Sequence, residues 1–183
     1  PTDLLDIELG KNHKELKGKR VRGRLDGKKV IPYYTREEIE LNYKSLNIPV
    51  LLWAKDNVSL FFLQIQGSGR VIIPSGEILR IGYANHNGQP YSSIGKLLIK
   101  SGEISIKDAS MQGLKRWAAL NKDKVQKTLN LNKAYVFFRI VKSDADGPLG
   151  ALNVPLTAGR SLAVDPEVLP LGYPVYLSTT YPN

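Results

Sequence analysis

FFLQIQGSGRVII, residues 61–73, is apolar along most of its length, yet its middle is Gln66-Gly67-Ser68-Gly69. The stretch reads as strand, Val58 to Gln66 and then Arg70 to Ile73, interrupted by two glycines, an amide and a hydroxyl. Strand interiors avoid glycine, which adds backbone freedom and packs nothing. The interruption therefore marks a β-bulge or a place where another molecule approaches the backbone.

Working outward, Pro49 to Ala54 is expected as a strand, with a turn at Lys55-Asp56-Asn57 before Val58. Glu77 to Ala84 is another, joined to the preceding strand through Pro74-Ser75-Gly76. Asn87-Gly88 is a turn signal. Upstream, Leu4–Ile7, Val21–Leu25 and Val30-Ile31 read as short strands or loops. Thr35-Arg36-Glu37-Glu38 fits a capping box that opens a short helix through Leu41.

After Tyr91 the hydrophobic period changes. Ser92 or Ser93 caps a helix carrying Ile94, Leu97 and Leu98, ended by Gly102. Ser110 caps a second, with Met111, Leu114, Trp117 and Ala118 on one side. A third carries Val125 and Leu129. AYVFFRIV at 134–141 returns to strand, a polar loop spans Lys142 to Gly150, and strand-like pieces recur at Ser161–Val164 and Val175–Ser178. Strands, then helices, then strands predict a β-rich α+β fold with a boundary near 132–134.

The chain has 183 residues, 42% of them hydrophobic and 23% charged, enough for a packed core. No apolar run reaches the roughly 18 residues of a membrane helix. The first residues, PTDLLDIELG, lack the form of a signal peptide. Without cysteine there are no disulfides or thiolate metal sites. The net charge of +9 favours anionic partners: nucleic acid, an anionic membrane surface or an acidic cell-wall polymer. Lys11, Lys14, Lys17, Lys19, Arg20, Arg22, Arg24, Lys28 and Lys29 supply much of it. No aromatic is interleaved among them, as a single-strand nucleic-acid binder would require.

Familiar catalytic and metal motifs are missing. His13 and His86 fit no ligand spacing. Gly67-Ser68-Gly69 is too short for a nucleophile elbow. Asp144-Ala145-Asp146-Gly147 starts like a calcium loop, but its glycine and its twelfth residue, Pro155, are wrong, so an ordinary turn is expected. Polar groups beside apolar elements remain: Gln66–Gly69, Gly82–Tyr91 and Ser110-Met111-Gln112. Amides, hydroxyls and ring faces are what a sugar groove needs. Each also has a structural reading, as strand edge, hairpin turn or helix cap.

Together these stretches resemble the lytic murein transglycosylase A (MltA) family. The resemblance rests on Gly23-Arg24, Pro32–Ile39, Gln66-Gly67-Ser68-Gly69, Gly82-Tyr83-Ala84, Tyr91–Ile99, Ser110-Met111-Gln112 with Trp117, and Val136-Phe137-Phe138-Arg139. It continues through Gly150-Ala151, Val154–Thr157, Gly159-Arg160-Ser161, Ala163–Pro166 and Leu169–Gly172, in order along nearly the whole chain. It implies an insert domain at 1–133 packed on a partial double-psi β-barrel that begins at 134–183. It also implies cleavage of the β-1,4 bond between N-acetylmuramic acid and N-acetylglucosamine in peptidoglycan, leaving a 1,6-anhydro product, with no metal or cofactor. The glycan strand would be bound by Gln66, Gly67, Ser68, Gly69, Tyr83, Tyr91, Ser110 and Gln112. Asp165 matches a supporting aspartate, and the catalytic aspartate is expected beyond Asn183. A periplasmic or outer-membrane location in a Gram-negative cell, with a possible lipid anchor or cell-wall complex, follows from the same resemblance. The alternatives are a non-catalytic glycan-binding or scaffold protein and a basic nucleic-acid binder.

Overall fold

The computed structural model describes residues 1–11, 14–141, 147, 150–152 and 154–180. His13, Asp144, Asp146 and most of the expected polar loop lie outside the described residues. The chain divides into two compact units, Pro1–Val141 and Lys142–Asn183.

The first unit opens with an antiparallel sheet, β1 (Leu5–Glu8), β2 (Arg20–Asp26) and β3 (Lys29–Ile31), in that order. Helix α1 (Arg36–Asn42) follows, and its capping box forms as expected. Thr35 Oγ1 accepts from the Glu38 amide, and the Glu38 carboxylate accepts from the Thr35 amide and hydroxyl. These bonds hold the Glu38 carboxyl below its ordinary pKa.

The run from Val58 to Gln66 is a helix, not a strand: α2 spans Asn57–Gln66. Asp56 begins it, accepting from the Val58 amide and from Ser59 Oγ, so the residues expected as a turn are a helix N-terminus. Gly67 ends it at φ 78°, donating its N–H to Leu63 O. Val58, Phe61 and Gln64, three apart, are the buried face. The expected strand at Pro49 to Ala54 forms no regular element. Its apolar side chains are partly exposed, and no neighbouring strand offers them a hydrogen-bonding ladder.

Gln66–Gly69 is thus the switch from helix to strand rather than an interruption within one strand. β4 (Ser68–Ile72) and β5 (Ile78–His86) make a hairpin, and β6 (Val136–Ile140) pairs with the far side of β5. A bulge at Ala84 lies between the Tyr83–Phe138 and Asn85–Phe137 pairs. Just beyond it, Asn85 Oδ1 accepts from Arg22 Nε at 3.0 Å and Asn85 Nδ2 donates to Asp6. Asp6 also meets Arg20 and Arg22, so Asn85, the residue after the bulge, ties the second sheet to the first.

Helices α3 (Ile94–Lys100), α4 (Met111–Leu120) and α5 (Val125–Asn130) form where the period change placed them, capped at Ser93 and Ser110 for the first two. With α2 they enclose the core: Val58, Phe61, Ile94, Leu98, Leu114, Trp117 and Leu129. Trp117 keeps its indole N–H satisfied by donating to Glu103 at 3.0 Å. The α+β class holds, with two small antiparallel sheets beside a helical core.

In the second unit, the pieces expected as strands at 161–164 and 175–178 pair with no other segment among the described residues and are largely exposed. A strand is stabilised by its ladder partner, and β-forming composition does not replace one.

Candidate functional site

The first unit carries an open cavity of about 1310 Å³, lined by residues of α1, α2, the 48–55 segment, β4 and β6. Gln66 and Gly69 line it, so the helix-to-strand switch forms part of its wall. Gly69 is required there. A β-carbon at this position would stand 2.5 Å from Leu63 Cδ1, where α2 packs on β4. Gly67 combines a left-handed backbone with the approach of Tyr83, whose Cβ would lie 3.9 Å from a β-carbon on it.

The floor is polar. Arg36 is 3% exposed and donates to the carbonyls of Asn132 (3.1 Å) and Ala134 (2.9 Å) and to Glu40 (3.2 Å). Its guanidinium also lies over the rings of Phe61 and Tyr135, 4.9 and 5.2 Å from their centroids. Burial lowers the Arg36 pKa, opposed by Glu40. Burial raises the Glu40 pKa, opposed by Arg36 and by the bond from Gln126. Gln64 donates to the Val136 carbonyl at 3.2 Å. A partly buried carboxyl with a raised pKa, in a cavity, has the properties of a general acid. Both Glu40 oxygens are already engaged, one by Arg36 and the other by Gln126, which makes the residue part of the scaffold of the floor.

The rim is aromatic. Trp53 is 77% exposed and meets Tyr43 edge-on at 5.6 Å. Such a pair offers flat apolar faces of the kind that sugar rings stack on. The sequence reading did not include Trp53, although an exposed tryptophan in the irregular segment Val50–Lys55 is a usable signal. Arg36, Glu40 and Gln64 were missed as a group because they meet only in three dimensions.

The expected binding residues divide into two sets. Gln66, Gly67, Ser68 and Gly69 lie together, with Tyr83 against Gly67 and Gly82 directly across from Ser68. Ser68 is exposed, and its hydroxyl has no partner among the described residues. Gly67, Ser68, Tyr83, Tyr91, Ser110 and Gln112 are not among the cavity-lining residues. Tyr91 is exposed ahead of α3, Gln112 is exposed on α4, and Ser110 accepts from the Gly113 amide as the α4 cap. Asp165 is exposed and stabilises its own turn, its carboxylate accepting from the Glu167 amide. His86 Nδ1 accepts from the Gly88 amide at 3.0 Å; burial, and then Arg22, lower its pKa, so the neutral ring serves the turn.

A family model described as the MltA specific insert domain matches residues 1–139. Among curated proteins, the membrane-bound lytic murein transglycosylase A of Escherichia coli (strain K12) is 35% identical over 126 residues. That match takes in 67% of this chain and 34% of the relative, so the chain spans about a third of the length of the curated relatives it matches. Among solved structures, MltA from Neisseria gonorrhoeae superimposes with a TM-score of 0.70 at 39% identity, over 82% of this chain and 36% of that one. Escherichia coli MltA with bound chitohexaose superimposes at 0.65 with 31% identity, over 80% and 46% of the two chains.

Proposed function

The chain belongs to the MltA family, and from that membership we propose that it supplies the glycan-holding part of a peptidoglycan lytic transglycosylase. The observation that carries this reading is the helix-to-strand switch at Gln66–Gly69, two of whose residues, Gln66 and Gly69, line a cavity with a polar floor and an aromatic rim. The E. coli relative seen with chitohexaose supports a β-1,4-linked amino-sugar strand as the ligand. Residues 1–133 act as the insert domain, and the chain from Ala134 leads back into the barrel. The working site is the periplasmic face of the outer membrane.

The reaction breaks the β-1,4 bond between N-acetylmuramic acid and N-acetylglucosamine without consuming water. A carboxylic acid gives its proton to the leaving glycosidic oxygen. The resulting carboxylate takes the proton of the muramic 6-hydroxyl as that oxygen bonds to the anomeric carbon, closing the 1,6-anhydro ring. One carboxyl serves both steps because the nucleophile is internal to the sugar, whereas an ordinary glycosidase uses two. By family membership the acid is expected to be an aspartate outside these 183 residues; Glu40 is held by Arg36 and Gln126, and Asp165 is committed to its turn. Incubated with purified sacculi, the intact gene product should release 1,6-anhydromuropeptides detectable by mass spectrometry, and residues 1–183 alone should release none. Products with reducing muramic ends would mean hydrolysis and overturn the reaction assignment. Binding without any release would favour the scaffold reading.

Ser68→Val tests the wall. The side chain is exposed on a strand and its hydroxyl bonds to no described group, so stability should change by no more than about 0.5 kcal/mol. If the hydroxyl meets a sugar, chitohexaose affinity in the intact gene product should fall at least several-fold, as expected for a lost hydrogen bond of about 0.5–1.5 kcal/mol. Unchanged affinity by calorimetry would remove Ser68 from the site.

A further inference from the structure

The register of the second sheet puts an arginine face beside Ser68. In antiparallel pairing, directly opposed residues share a face, and so do residues two apart on one strand. Ser68 opposes Gly82, and Gly82 opposes Arg139, so these three make one row across the sheet. Arg70 opposes Arg80 in the next row on the same face, with Val141 alongside through its bond to the Arg80 carbonyl. None of these residues is acidic.

We propose that this face binds the carboxylates of the peptide stems that murein carries on its muramic acid residues, while the neighbouring wall holds the sugars. The inference rests on the glycan reading given above and adds the part of the substrate that a bare chitin oligomer lacks. Arg70 and Arg139 carry it. Both are exposed, and neither forms an ion pair with a described carboxylate.

The spacing on this face fits the ligand. Gly82 lies between Ser68 and Arg139, with the Val141 side chain packed over it. Its missing β-carbon would stand 2.8 Å from Val141 Cγ2. Strand and row spacings separate the Arg70 and Arg139 α-carbons by roughly 12 Å, the reach of an extended peptide of about three or four residues. Guanidinium groups prefer carboxylates in bidentate pairs, which suits a short peptide with several free carboxyls.

The test compares the intact gene product with its Arg70→Gln/Arg139→Gln variant against two probes, chitohexaose and a peptide-bearing muropeptide oligomer. Wild type should bind the muropeptide more tightly than chitohexaose, with a preference that weakens as salt rises. The variant should lose about tenfold or more of its muropeptide affinity and keep its affinity for chitohexaose. Wild type that binds both probes equally, or a variant that loses both equally, overturns the stem assignment and leaves the glycan reading standing. Wild type that binds neither overturns both. A variant that keeps muropeptide affinity but no longer binds vesicles of anionic phospholipid assigns the face to a membrane and likewise overturns it. Melting temperatures of the two proteins should agree, because both arginines are solvent-exposed.

Discussion

Arg36→Met should destabilise the first unit by about 3–5 kcal/mol, the cost of breaking a buried, hydrogen-bonded ion pair from one side. Arg36 is 3% exposed and donates to two backbone carbonyls and Glu40. Methionine fills much of its volume but satisfies none of these acceptors, and it leaves the Glu40 carboxylate without its cation in a partly desolvated site. For a domain of ordinary stability, about 5–15 kcal/mol, that is a large fraction of the whole. At about 2–4 °C per kcal/mol the melting temperature should drop by roughly 6–20 °C. Lys124→Met, at the exposed pair with Glu103, is the control and should cost about 1 kcal/mol or less. Arg36→Lys should recover little, since one ammonium cannot reproduce a planar fork aimed at three acceptors. A loss for Arg36→Met no greater than the control's would show that the floor of the cavity is not held by this residue.

The same residue shows where reading the chain succeeds and where it stops. The capping box around it was legible because Thr35 and Glu38 are three positions apart and their side chains bond within the box. The partners of its guanidinium are not legible, because Asn132 and Ala134 lie 96 and 98 residues further on. The helices from Ile94 to Asn130 could be read from period and caps together. Residues 58–66 could not be read from period, because a nearly continuous apolar run suits a buried strand and a buried helix equally. The deciding signals were Asp56 and Gly67, a cap at each end of a ten-residue element. Read by composition alone, the first resembles a turn and the second a break within a strand.

The site divides along the same line. Gln66–Gly69 stands out in the sequence because glycine at a helix-to-strand switch leaves a visible gap in an apolar run. The register that sets Ser68, Gly82 and Arg139 in one row depends on pairing between strands some seventy residues apart, counted from Ser68 to Arg139. Trp53 was overlooked because its segment was expected to be a strand, in which an apolar side chain is usually buried.

Asn87→Ala should cost about 3–6 kcal/mol, a loss that a surface turn could not produce. Asn87-Gly88 carries the sequence signal of a turn, and Gly88 does adopt φ 74°. Asn87 itself is 0% exposed and uses both ends of its amide. Nδ2 donates to the carbonyls of Tyr34 (2.8 Å) and Lys133 (2.9 Å), and Oδ1 accepts from the amides of Tyr135 (2.9 Å) and Gln89 (3.3 Å). One side chain thereby joins the end of β5 to the chain just before α1 and to the lead into β6. Alanine would leave these backbone groups buried without partners. Asn87→Asp separates this account from simple loss of volume, because the carboxylate keeps the shape and the acceptor but loses both donors. Facing two carbonyls in a dry site, that carboxyl should prefer its protonated form, so its folded pKa is raised above the unfolded value of about 3.9. The folded state then binds more protons than the unfolded state between those two pKa values, and stability rises as pH falls. Relative to wild type, Asn87→Asp should therefore melt closer to its parent at roughly pH 5 than at roughly pH 7.5, while Asn87→Ala shows no such recovery. If Asn87→Ala lowers stability by less than about 1 kcal/mol, the residue is only turning the chain, and the junction of α1, β5 and β6 must be held by other contacts.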